Sequence, residues 1–448
     1  MPEAEIPAPV PAGETYTPPA YPVPTRAEET NQAQPTRPLS TAQILAYSAA
    51  NIGCGAFYSF NNYILPLFLQ QYTSNAVLLG LMGSSHSVEG AIIQPLVGSQ
   101  SDHLRTKLGR RRPFMLIFFT LSALFLALTP AASHVGAQYR LPVVVSVIFL
   151  FTVLFNVAWD PYQALMPDLT PPEQRGRVTG VWGMLGNVAQ AATLLSALFL
   201  GLSFGAQFYI VAALMLLTNF ATCAWVREPD APPAVSKKKS LFMEVREGLA
   251  GLRTLRQAAR GMLVIALSGA GIGAVVPNLS IFVKTVTHCS NAQAQAMGFI
   301  LMVATAIFVL PFGWLTDRLG PKRVIYIAFS LIGIACLRAL FVTSLPQVAA
   351  VMVIAGIGNA AQAASVYPLL TDLVPGDEVG FYTGFQSTML SLVQPVTVVI
   401  TGILINRGGG GYRIVFAVCA VCVAGAMALL GGVNTEAAQD EIARRGVK

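Results

Sequence analysis

A chain of 448 residues that is 54% hydrophobic, 11% charged and of mean hydropathy +0.60 carries more apolar surface than a water-soluble core can bury. This excludes an ordinary soluble enzyme or binding module and points to a bilayer. The net charge of +7 reads as a topology signal, because loops rich in lysine and arginine stay cytoplasmic, so nucleic acid is not an expected partner.

Residues 1–40 hold ten of the 29 prolines and five glutamates without an apolar run, which predicts a disordered cytoplasmic tail and not a signal peptide. Apolar runs of about 18 to 25 residues, enough to cross a hydrocarbon core, begin near Ala42, Ala76, Pro113, Leu141, Val178 and Phe208. They define an N-terminal bundle over 41–226. In the polar segment 227–260, Leu241, Val245, Leu249, Leu252 and Leu255 recur at helical spacing and predict an amphipathic helix on the inner leaflet. Six further runs begin near Gly261, Ala292, Val324, Val348, Phe381 and Tyr412, giving a C-terminal bundle over 261–433 and a cytoplasmic tail over 434–448. The expected fold is an all-α membrane protein of about twelve transmembrane helices in two pseudo-symmetric six-helix bundles. If the first helix enters from inside, 23 of 28 lysines and arginines lie on the inner side. Both termini are therefore expected in the cytoplasm, with the chain multi-pass in the plasma (inner) membrane.

Two motifs repeat between the halves. Gln94 to Pro113, QPLVGSQSDHLRTKLGRRRP, returns in shorter form as Pro311 to Arg323, PFGWLTDRLGPKR. Asp168-Leu169-Thr170-Pro171 with Thr179-Gly180 is matched by Asp372-Leu373-Val374-Pro375 with Thr383-Gly384, at a constant offset of 204. Duplicated bundles with the same acid, glycine and basic turn suit an alternating-access carrier. Asp102 and Asp317 sit at helix ends where they can accept amide hydrogens or pair with arginines such as Arg175 and Arg177. The expected cytoplasmic gate is Asp102, Gly109, Arg110, Arg111, Asp168, Arg175, Asp317, Arg318 and Arg323.

At these residues the chain resembles the major facilitator superfamily, over about Ala42 to Gly432. More narrowly it is similar to the sucrose transporter branch related to the glycoside-pentoside-hexuronide cation symporters. QPLVG, Ser101-Asp102, GRRRPF and ALMPDLTPPEQRGR carry the likeness, with Gly186-Asn187. The resemblance implies that the first, fourth, seventh and tenth helices line a central cavity. The chain departs from its relatives at Thr152, where sucrose-type members carry an acid, at Gln163, where they carry an arginine, and at Gln94, where melibiose-type members place a cation-binding acid. Sucrose itself is not inherited as the substrate.

Of 21 acidic residues, only Glu89 and Asp160 fall at membrane depth, where an ionised carboxylate costs a few kcal/mol unless it is paired, wet or protonated. Glu89 lies one helical step from His86, and an acid beside an imidazole suits a proton relay. Asp160 precedes Pro161, which loosens the fourth span. Glu89, His86 and Asp160 are therefore the expected proton-coupling residues, with Glu89 foremost. Trp159 offers a stacking ring and Gln163 an amide, while Asn61, Asn62, Asn278, Asn359 and Gln362 add neutral donors and acceptors for sugar hydroxyls. The cysteines form no disulfide or zinc spacing, and no phosphate-binding loop exists to power the chain by its own ATPase. No metal, cofactor or enzymatic constellation is expected. The expectation is a monomeric carrier of a sugar or glycoside in symport with protons, with a proton-coupled exporter of another solute or a transporter-like sensor as alternatives.

Overall fold

The computed structural model describes residues 38–84, 93, 97, 106, 108–228, 246, 251–253, 255–408 and 410–446, and the regular elements among them are helical. Helix α1 is built of Thr41–Ser59, a wide π turn Phe60–Ile64 and Leu65–Leu69. Then follow α2, described over Ala76–Gly83, α3 (Arg112–Ala132), α4 (Ala137–Leu169), α5 (Arg175–Leu200), α6 (Phe204–Trp225), α7 (Arg256–Thr287) and α8 (Asn291–Leu319). The chain continues through α9 (Pro321–Ala339), α10 (Leu345–Leu373), α11 (Val379–Arg407), α12 (Gly411–Gly431) and a final α13 (Thr435–Gly446). Among the described residues, nine helices are long and apolar enough to cross a membrane. Helix α1 is comparably long but carries Asn51, Asn61 and Asn62, and α9 carries Lys322, Arg323 and Arg338.

No helix starts more than five residues from the apolar run that predicts it. The helices start early because they continue past the hydrocarbon into polar turns, as Arg256–Arg260 does before the apolar part of α7. Side chains fix several starts. Ser40 and Gln43 form a reciprocal capping box on α1, and Ser290 and Gln293 repeat it on α8. Asn75 accepts from Val77 and Leu78 at the start of α2, and each such cap is worth about 1 kcal/mol. Helix α13, not anticipated within the tail, is held by the Asn434 side chain, which accepts from the Glu436 and Ala437 amides, and by Glu441, which accepts from the Gln257 amide at 3.0 Å. The expected amphipathic helix over 241–255 lies largely outside the described residues. Of its described end, Gly251 abuts Tyr382, and Leu252 and Leu255 are buried.

In the N-terminal half α1 packs against α5 and α6, and α3 against α4 and α6; in the C-terminal half α10 packs against α8 and α9, and α7 against α11 and α12. Phe57, Phe60, Phe151, Phe155, Tyr162 and Phe208 of the N-terminal half and Phe282, Phe329 and Tyr382 of the C-terminal half are fully or almost fully buried, and all belong to one apolar core that runs through both halves. Phe199, Trp225 and Val421 stay open, as lipid-facing side chains do. Helix alternation places Arg110, Arg175, Arg256 and Arg318 at one end, called here the basic end; the other is the distal end.

Among the described residues four hydrogen bonds join the halves, and each lies at the distal end. Asn406 of α11 accepts from the Ala76 amide and donates to Asn75, both at 3.0 Å. Gln207 donates to Gln295 at 3.1 Å, and Ser280 to the Tyr63 carbonyl at 2.7 Å. Backbones also meet closely there: a Cβ added to Gly402 of α11 would stand 2.6 Å from the Val77 Cα of α2. The distal end is shut by neutral amides and close backbone contact.

Candidate functional site

At the basic end, a loop, two helix ends and one acid converge. Gly109 turns the chain with φ +103°, a conformation that disfavours a side chain. Three successive amides follow at the start of α3, and the Glu228 carboxylate beyond α6 accepts from Arg110 at 2.8 Å, Arg111 at 3.0 Å and Arg112 at 2.7 Å. A carboxylate at a helix N-terminus meets the orphan donors and the positive end of the dipole together. A Cβ on Gly109 would come within 2.6 Å of the Glu228 Cδ. With the backbone so held, the Arg110 and Arg111 side chains both reach Asp168 at the end of α4, at 2.8 and 2.5 Å, and Arg112 donates to the Cys223 carbonyl of α6. The latch thus binds α3, α4 and α6 of one half into a unit.

Of the expected gate residues, Gly109, Arg110, Arg111 and Asp168 come together; Asp102 lies outside the described residues. Arg175 is exposed, and its neighbour Arg177 donates to Thr41 at 3.1 Å. Asp317, Arg318 and Arg323 are exposed. The C-terminal copy does not reproduce the pairing among the described residues: Lys322 instead donates to the Val433 carbonyl at 2.5 Å, and the Asp372 carbonyl accepts from Gln439 of α13 at 3.1 Å. Here only Gly320 separates α8 from α9, so no hairpin carries arginines across to Asp372. Glu228 was missed in the sequence. Its signal was an acid directly after an apolar run, on the same side as a triple-arginine turn.

Deeper in, Trp159 is buried in an aromatic stack with Phe155 at 5.7 Å, Tyr58 at 5.3 Å and Trp182 at 6.1 Å between ring centres. Asp160 beside it is half-buried and Gln163 exposed. Asn61 donates to the Gly83 carbonyl at 3.2 Å and joins α1 to α2, while Asn278 donates to the Ala274 carbonyl of its own helix at 2.9 Å. Gln362 of α10 reaches Ser268 of α7 at 3.3 Å. Glu89 and His86 lie outside the described residues.

Asn62 and Asn359 line one cavity of about 320 Å³. The π turn of α1 supplies Asn62 and Tyr63, and α10 supplies Asn359, whose amide donates to Thr305 of α8 at 3.3 Å. The rest of the wall is largely apolar, from Val275 and Val276 of α7, Met302 of α8 and Phe416 of α12, with the thiols of Cys336 and Cys419. A volume at the lower end of the usual 300–1,000 Å³ range for ligand sites admits a small solute, with two amides to orient it.

Comparison with known proteins agrees with this architecture. The family model for MFS/sugar transport protein matches residues 46–430. A membrane-associated transporter protein of Mus musculus is 28% identical over 222 residues, or 44% of this chain and 41% of the relative; the match therefore spans about two-fifths of that relative's length. The multidrug resistance protein MdtG of Salmonella choleraesuis (strain SC-B67) is 25% identical over 390 residues, covering 82% of this chain and 90% of MdtG. The isoprimeverose transporter of Lactiplantibacillus pentosus is 19% identical over 393 residues, covering 81% and 80%. In fold, a crystal structure of the nucleoside transporter NupG superposes with TM-score 0.70 at 13% identity, over 87% of this chain and 99% of that one. A family match over most of the chain, on a duplicated helical body with a solute-sized cavity, makes this a multi-pass membrane transporter and not an enzyme: the chain belongs to the MFS/sugar transport protein family.

Proposed function

We propose that the chain carries a sugar or glycoside in symport with protons, by rocking two helix bundles, with boundaries near 41–226 and 261–433, about a central site. The observation that carries this reading is the asymmetry of contacts between the halves. Their described hydrogen bonds gather at the distal end, while the described ion pairs at the basic end join helices of the N-terminal half. Such a body opens toward the basic end, and breaking a few neutral bonds opens it the other way. Asn62 and Asn359 are the residues proposed to orient the solute's hydroxyls, and Glu89, with His86 and Asp160, to hold the coupled proton. The likeness to an isoprimeverose transporter supports a sugar cargo. On this reading the protein is a monomer in the plasma or inner membrane with both termini cytoplasmic.

The apolar wall of the cavity and the likeness to MdtG favour a second reading, a proton-coupled exporter of an amphipathic solute. Apparent thermal stability of the purified protein, measured against mono- and disaccharides and against amphipathic amines at two pH values, separates the two, since a ligand of the folded form raises stability. Sugar-dependent shifts that change with pH support symport. Silence with sugars and shifts with amines replace it by export. Silence with both, together with no flux in proteoliposomes, leaves a transporter-like sensor.

A further inference from the structure

The cavity belongs almost wholly to one half. Among the described residues its wall comes from α7 to α10 and α12 of the C-terminal half, and the N-terminal half supplies Asn62 and Tyr63 of α1 alone. Both sit in the π turn Phe60–Ile64, where the Leu65 amide reaches back to the Phe60 carbonyl. Pro66 comes next and has no amide hydrogen. The Asn62 carbonyl thereby loses its α-helical donor, which favours the wider turn at this point.

Two contacts seat Tyr63 against the opposite half. Its carbonyl accepts from the Ser280 hydroxyl of α7 at 2.7 Å. Its ring lies over Gly298 of α8, where an added Cβ would stand 3.1 Å from both Cδ1 and Cε1, and the residue is 7% exposed. The ring thus fills space that any side chain on α8 at this point would claim. With Asn62 it forms the wall of the cavity on the side of the N-terminal half. Because α1 belongs to that half, parting the two halves at the distal end must lift the ring from Gly298 and the carbonyl from Ser280 together.

We propose that Tyr63 is the door of the solute cavity: seated on Gly298 it seals the site, and carried away with α1 it opens the site toward the distal end. The proposal rests on the reading of this cavity as the solute site. Most of the binding surface then stays with the C-terminal half while the N-terminal half closes over it. Asn62, next to the door, meets the solute only when the door is shut, so a solute that bonds to Asn62 favours closure.

The cavity carries its own reporters. Cys336 and Cys419 line it and are 4% and 1% exposed, whereas Cys54 and Cys223 are buried in the N-terminal half and do not line it. The test exposes the purified full-length protein to N-ethylmaleimide and follows alkylation of each cysteine by peptide mapping. When opening and closing are fast, the rate follows the open population. Tyr63→Ala should speed alkylation of Cys336 and Cys419 together by about 10-fold or more, since the packing of a buried ring no longer favours the closed form. Cys54 and Cys223 should keep their original rates. Tyr63→Phe retains the ring and should behave as the unmutated chain. Asn406→Ala, which leaves the door intact and does not line the cavity, should speed the same two thiols by loosening the distal closure, so the outcome does not hang on the folding of one variant. Unchanged rates at Cys336 and Cys419 in Tyr63→Ala or in Asn406→Ala, an equal rise at Cys54 and Cys223, or a Tyr63→Phe as fast as Tyr63→Ala would overturn the proposal. Solute uptake that survives full alkylation of Cys336 and Cys419 would count instead against the cavity as the solute site, with the movement of Tyr63 still established by the thiol rates.

Discussion

Replacing Asn406 by alanine tests how the distal end is kept shut. Its side chain makes two bonds of 3.0 Å across the halves, accepting from Ala76 and donating to Asn75. A neutral hydrogen bond nets about 0.5–1.5 kcal/mol; as Asn406 is exposed, the pair is taken at about 1–2 kcal/mol. Removing it should raise the ratio of distal-open to distal-closed protein about 5- to 30-fold. Amide hydrogen exchange reads this directly when opening is fast and exchange follows the open population. Local fraying would speed only the amides of α2 near Ala76. Rocking of the halves also frees α8 near Gly298 and α5 near Leu194, which meet on the other side of the closure. Faster exchange at 194 and 298 in step with 76–83 is the expected result. Unchanged exchange there, with faster exchange at Ala76 alone, would refute the claim that the closure moves as one.

Further expectations follow from the same geometry. Gly402→Val should also disfavour the distal-closed state, by about 1–3 kcal/mol of overpacking against Val77, and should show the same exchange signature without removing any hydrogen bond. Asp168→Asn exchanges charge-assisted bonds to two arginines for neutral ones and should cost about 1–3 kcal/mol, seen as a lower thermal midpoint; an unchanged midpoint would mean the latch contributes nothing to the stability of its half. Glu228→Gln should act in the same direction, since an amide oxygen satisfies three helix-start donors less well than a carboxylate, and the double variant with Asp168→Asn should be less than additive because both hold one loop. Glu89→Gln should abolish uphill uptake while leaving exchange or binding largely intact, and accumulation against a gradient by this variant would remove Glu89 from the mechanism.

Much of the fold is legible in the sequence because the bilayer imposes one length and one polarity on each span: starts inferred near Ala42, Ala76 or Ala292 fall within a few residues of the helices. The acid–proline repeats at Asp168 and Asp372 reveal the duplication for a similar reason, since each marks where a helix ends. Partners are less legible. Nothing local to Asn406 announces Asn75, more than 300 residues away, and Arg110 and Arg111 were expected in the gate without Glu228, which holds their backbone. Intramembrane amides are ambiguous in principle, because a side chain that binds a sugar and one that joins two helices have the same composition. Asn62 and Asn359 reach a cavity, while Asn61 and Asn278 bond to backbone carbonyls. Of the first motif's C-terminal copy, the described residues show Gly320 alone between α8 and α9 and Lys322 donating to the Val433 carbonyl, while Asp102 of the N-terminal copy lies outside the described residues.

The most direct test of the account is solute flux in proteoliposomes containing this protein alone, with an imposed proton gradient, acid outside, and a labelled sugar or glycoside that first raises the protein's thermal stability. The account predicts uptake above the equilibrium level that a protonophore collapses and that exchange of internal for external solute outlives. Binding without any flux, or flux that only equilibrates and is indifferent to the proton gradient, would contradict it.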